Sequence, residues 1–198
     1  MFLRPFYITG RIREPVYNTY TAGAFYSKPA KYQLEETIIE AFTEVMPIVA
    51  LGKPGEVRGV GRILTDENNW KFAACKLMKL SSLIFCVPSG HPGTTWELDK
   101  IIHNGYLTKT VFLMPPDPSD PRQNIFRHKW RTMRNDWSTA VAHMKSHDII
   151  VPDYQKVGLL FAVKPMSGCF IEELSLPSSK SLQKAILRLR SALSSSEL

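Results

Sequence analysis

Residues 81–101 read SSLIFCVPSGHPGTTWELDKI, and this stretch decides the fold. Its first part, SSLIFCVP, has a continuous apolar centre, which predicts a strand buried on both faces. A short loop, residues 89–93, separates it from TTWELDKIIHNGY. That segment carries Leu98, Ile101 and Ile102 at helical spacing and has Gly105 near its end, so it predicts a helix with one face on a core. A buried strand that feeds a helix through a tight loop is half of a parallel strand–helix–strand unit.

The same alternation extends outward in both directions. Downstream, KTVFLMPP (109–116) predicts a strand stopped by Pro115 and Pro116. The segment 125–144 is helical in one or two pieces, with Ile125, Phe126, Trp130, Met133, Trp137, Val141 and Met144 on one stripe. VGLLFAV (157–163) is a further strand, CFIEELSL (169–176) can return antiparallel to it as a hairpin, and Leu182, Ile186, Leu189 and Leu193 mark a last helix. Upstream, strands are expected at FLRPFYIT (2–9) and MPIVALG (46–52). Helices are expected at 33–46 and around Trp70, Ala73, Ala74 and Leu77. The expectation is one doubly wound α/β domain with five mainly parallel strands and a C-terminal antiparallel hairpin.

At 198 residues, with 44% hydrophobic and 22% charged residues, the chain suits one folded domain and not a disordered or fibrous protein. Cys75, Cys86 and Cys169 are scattered and odd in number, so they support neither a disulfide framework nor a zinc site, and no metal ligands are assigned. No apolar run reaches the roughly 20 residues of a membrane span, and no signal peptide is recognised, so a cytoplasmic protein is expected. The net charge of +7 favours anionic partners. It is concentrated at Arg122, Arg127, Lys129, Arg131 and Arg134, and again at Lys180, Lys184, Arg188 and Arg190. Nucleic acid ranks behind a nucleotide as partner, because the aromatics of the first basic segment follow a helical core period.

Ligands of open parallel sheets bind beyond the carboxyl ends of the strands, where the winding reverses. That points to the loops after the first three strands: the Tyr-rich residues 10–32, the glycine-containing loop with Lys53, and PSGHPGTTWEL. In the third, Thr94 or Thr95 can cap the helix, and a carboxylate near the helix start suits the dipole. Glu97 therefore has two readings, a partner of the helix dipole or a carboxylate turned into the crevice beside Trp96. Trp96 itself reads either as core or as a stacking platform.

The motif in this loop is a proline or serine turn, a Pro-Gly pair, a small residue, an aromatic one and Glu-Leu. It resembles the corresponding loop of the TIR-like and nucleoside 2-deoxyribosyltransferase-like families. ALGKPGE, the strand-like GVGRIL, DENNWKFAACKLM and the opening FLRPF further resemble a bacterial TIR-like branch, often tethered to membranes. The resemblance covers residues 1–116. It implies a single TIR-like domain over 1–198 with a C-terminal extension from about 117, and a flavodoxin-like fold. The activity it implies is cleavage of an N-glycosidic bond in NAD or a related nucleotide or nucleoside, as in a bacterial defence or toxin effector.

The essential glutamate of those families falls on Glu97. Arg4, Lys53 and Ser89 become candidate phosphate or ribose contacts, Asp66 and Trp70 candidate sugar contacts, and His91 a candidate proton donor to a leaving base. NAD is then a substrate and no cofactor is needed, while self-assembly or a partner protein is expected to complete the site. The alternative is a non-enzymatic signalling module that senses a nucleotide in the same crevice.

Overall fold

The computed structural model describes residues 1–3, 34–43, 46–52, 61–114, 127–155, 158–164, 168–173 and 179–194. Five strands form a central sheet in the order β1 (Phe2–Leu3), β4 (Ile84–Cys86), β5 (Thr110–Met114), β6 (Leu159–Lys164) and β7 (Gly168–Glu173). β2 (Val49–Gly52) pairs in parallel with β3 (Gly61–Leu64) in a separate two-stranded sheet, and β2 lies beside β1. β1, β4 and β5 are mutually parallel, with Leu3 opposite Cys86 and Cys86 opposite Phe112. β7 runs antiparallel to β6 and hence shares the direction of β5, so four of the five strands point one way.

Successive side chains of a strand go to opposite faces, and here both faces are apolar. Phe85, Val111, Leu113, Leu160 and Ala162 pack under α1 (Leu34–Thr43) and α5 (Ser179–Ser194), against Ile38, Phe42, Leu182, Ile186 and Leu189. Ile84, Cys86, Phe112, Met114 and Phe161 go to the other face. There they meet Met78 of α2 (Trp70–Leu80), Leu98 and Ile101 of α3 (Pro92–His103), and Trp137 and Met144 of α4 (Arg127–Lys145). Fully burying side chains of this size stabilises by roughly 1.5–3 kcal/mol each. The continuous apolar centre of 83–87 thus has the cause expected of it, cover on both sides.

One strand departs from the mainly parallel expectation: β6 is antiparallel to β5, with Leu159 opposite Met114. The reason lies in residues 149–155. α4 ends near the carboxyl end of α3, at the sheet's amino edge, where His143 meets Asp99. From there the chain runs back with Ile149 and Val151 buried and Tyr154 against Trp137, and Gln155 N–H reaches Met114 Sδ at 3.1 Å. This return delivers the chain to the carboxyl end of β5, so the next strand must run the other way. The hairpin from β6 to β7 is as expected.

Local chemistry sets the ends of the helices. Lys109, the last residue of a 3-10 turn at Tyr106–Lys109, donates through Nζ to the carbonyls of Met78 (2.8 Å), Lys79 (3.2 Å) and Ser81 (2.9 Å), closing the carboxyl end of α2. Gly105 follows α3 at φ 70°, the left-handed conformation that glycine adopts without a steric penalty. No helix among the described residues is long and apolar enough to cross a membrane. The three cysteines are free.

Candidate functional site

The site is built on the turn from β4 into α3. His91 is the N-cap, and Pro92 follows at the first helical position, where its missing N–H is not needed. The His91 Nδ1 accepts from Gly93 N–H at 3.3 Å, and the buried Ser89 Oγ accepts from His91 N–H at 3.2 Å. The cap is therefore histidine, and neither Thr94 nor Thr95 fills that place. Thr94 is buried one turn in, and Thr95 Oγ1 donates back to the His91 carbonyl at 3.2 Å. Gly90 passes so close to α4 that an added Cβ would lie 2.7 Å from Thr139 Cβ, so only glycine fits there.

Glu97 is not in the first turn of α3, where a carboxylate would meet the dipole. It lies in the second turn, beside Leu98, and is only 7% exposed. Among the described residues, no hydrogen bond or ion pair reaches its carboxyl group. Burial pushes its pKa from 4.5 up to about 8. One ionisable neighbour that feels its charge is Cys86, at the carboxyl end of β4. Its thiol is raised well above its ordinary value, first by burial and then by the Glu97 charge. A buried carboxyl group without a partner is costly, by about 1–3 kcal/mol even when neutral. Such groups concentrate where function requires them.

Trp96, on the side of α3 that faces α2, meets Trp70 edge to face, with centroids 5.0 Å apart. Lys71 Nζ lies 5.7 Å from the Trp70 ring and 5.5 Å from the Trp96 ring, and Lys100 Nζ lies 5.6 Å from Trp96. Both indoles are half-buried and pack against the core, so core and platform are not exclusive roles here. The two lysines were not anticipated from the sequence: the four-residue spacing of Trp96 and Lys100 carried a signal for one, whereas Lys71 reaches Trp96 from another helix.

Asp66 has a structural task. Its Oδ1 accepts from the N–H groups of Asn68 (2.9 Å) and Asn69 (2.8 Å), and its Oδ2 from Asn69 Nδ2 (2.9 Å), in the turn that starts α2. The Asn69 side chain and backbone hold its carboxyl below the ordinary value. Ser89, His91, Trp96 and Glu97 thus lie along the loop after β4 and the first two turns of α3, and Trp70 meets Trp96, while Asp66 is committed elsewhere. Arg4 and Lys53 lie outside the described residues, as do the tyrosines at 17, 20, 26 and 32.

A second polar cluster, unread in the sequence, joins α3 to α4. Asp99, His143 and His147 offer ligand atoms that lie within 4.8 Å of one another. The signal was a pair of four-residue spacings, Asp99 to His103 and His143 to His147, each on a helical segment. No family model, curated protein or solved structure matches this chain.

Proposed function

We propose that the chain is an N-glycosidase that cleaves NAD or a related nucleotide or nucleoside, with Glu97 as its catalytic residue. The observation that carries this reading is a buried carboxyl group that has no partner among the described residues and lies on the helix that leaves the carboxyl end of β4. Its position has a topological reason. β1 leads to α1 on one face and β4 leads to α3 on the other, so the chain diverges between two neighbouring strands, where ligands of such sheets bind. The resemblance of PSGHPGTTWEL to the TIR-like and deoxyribosyltransferase-like loop, and with it a flavodoxin-like winding, accords with this position. Lys71 and Lys100 put positive charge over Trp96, the residue before Glu97, the sign of charge that a phosphate-bearing ligand would meet.

The chemistry follows from the carboxyl group. When the bond from ribose C1′ to the base nitrogen breaks, its electron pair leaves with the base and the sugar becomes oxocarbenium-like. An ionised Glu97 stabilises that cation or traps it, and water completes hydrolysis. In the free protein the group is largely protonated at neutral pH, because burial disfavours its charge. The positive nicotinamide of NAD would favour loss of that proton, and nicotinamide then leaves as a neutral molecule. With a neutral nucleobase as leaving group, the protonated Glu97 could instead supply the proton, the role also open to His91. These two cases have opposite pH dependence.

One observation favours a second reading, a nucleotide-sensing module without turnover: Asp66, the expected second acidic residue, is occupied by the turn before α2. Wild type and Glu97→Gln would be incubated with NAD, NADP, ATP and deoxynucleosides at high protein concentration, with products read by mass spectrometry. Loss of one compound with wild type alone supports the glycosidase. Binding without loss supports the sensor, and activity retained by Glu97→Gln overturns the role of Glu97.

A further inference from the structure

We propose that Asp99, His143 and His147 form a binding site for a divalent transition metal, with zinc the best match, that clips α4 to α3. The site lies toward the carboxyl end of α3 and is independent of the chemistry at Glu97.

Its donors are one carboxylate and two imidazoles, the set that zinc accepts when three protein ligands leave a fourth position open. His143 Nε2 is 2.8 Å from Asp99 Oδ1, and His147 Nε2 is 3.5 Å from the same oxygen. Ligands about 2.0–2.1 Å from a tetrahedral zinc are separated by roughly 3.3 Å. These two spacings bracket that figure, and all three ligand atoms lie within 4.8 Å of one another, so side-chain rotation can draw them around one ion. All three side chains are partly exposed, between 24% and 36%, which leaves a route for the metal and for a water as fourth ligand.

The backbone explains the convergence. His147 stands one turn beyond His143, and its N–H still bonds to the Met144 carbonyl at 3.1 Å. Asp148 then adopts φ 58°, a left-handed conformation that aspartate tolerates better than most residues, and the chain leaves the helix with Ile149 N–H on Met144 O at 3.2 Å. The turn therefore ends immediately after the second histidine. Both rings face α3, stacked edge to face with centroids 5.2 Å apart. A hydrogen-bonding role for Asp99 would need only one of them.

His103 supports the cluster from the side. Its Nδ1 donates to the Asp99 carbonyl at 2.7 Å, so its neutral form leaves Nε2 bare, and its ring packs edge-on to His147 at 5.4 Å.

The test uses the full chain stripped with EDTA, then titrated with zinc against a chromogenic chelator and, separately, with cobalt followed by visible absorption. One equivalent of zinc and the intense bands of a four-coordinate cobalt are expected. His143→Ala, His147→Ala and Asp99→Asn should each weaken zinc binding by at least about tenfold, and the His143/His147 double variant should abolish it. Circular dichroism checks the fold, and His147→Gln replaces any alanine variant that does not fold. Absence of stoichiometric binding by wild type, or undiminished binding by the folded double variant, overturns the proposal.

Discussion

Replacing Glu97 by glutamine should make the protein more stable as the pH rises, the opposite of what removal of an ordinary surface carboxylate does. The native carboxyl titrates near 8 and the unfolded one near 4.5. Between these values the native state holds a proton that the unfolded chain has released, so stability falls as pH increases. A shift of this size corresponds to about 3 kcal/mol lost at pH 7 and about 5 kcal/mol once the pH exceeds 8, relative to a group that titrates alike in both states. Against a total stability of roughly 5–15 kcal/mol that is a large fraction.

Glutamine keeps the shape and removes the titration. Urea unfolding of both proteins from pH 5 to pH 8, with EDTA present, should show the wild type losing about 3 kcal/mol against the variant over that interval. Parallel pH curves would refute the reasoning, because they would mean that the carboxyl group is solvated or paired in the native state.

Two substitutions test the frame of the site. Gly90→Ala should destabilise by about 1–3 kcal/mol in the same unfolding assay, since its Cβ would lie 2.7 Å from Thr139 Cβ, and Thr139→Gly in the same chain should recover part of the loss. Lys109→Met removes a charged donor from three carbonyls at the end of α2, with an expected loss of about 1.5–3 kcal/mol and faster amide hydrogen exchange in the last turn of that helix.

The elements of the fold were largely legible because each has a clean period. The apolar run around Phe85, the helical spacing of Leu98 and Ile101 and the stripe from Leu182 to Leu193 all fall where the structure has strands and helices. Strand direction was not legible at β6. The apolar run LLFAV reads the same in either direction, and what turns it is the buried return of Ile149 and Val151, a segment without periodicity.

At the site, Glu97 was found by its position beside a motif, while its burial depends on how α3 lies against β4. The cap was misread because Thr94 and Thr95 are the common cap residues, whereas Pro92 at the first helical position makes His91 the cap. Asp66 looked like a free acid, and the asparagines two and three residues later explain why it is not. Asp99 and His143 are 44 residues apart, so no local pattern could join them.

The cover that α5 gives to α1 has a consequence for the birth of the protein. Ile38, Ala41 and Phe42 share one core cluster with Leu182, Ile186 and Leu189, and β1 finds its partner only at Phe85 and Cys86. At a synthesis rate of about 5–20 residues per second, the apolar side of α1 waits roughly 7–30 s for the helix that covers it to be made. β5 meanwhile presents an unpaired edge until β6 emerges. Until those residues emerge, a nascent chain of this design exposes an apolar helix face and an open sheet edge, the two features that invite association with other chains.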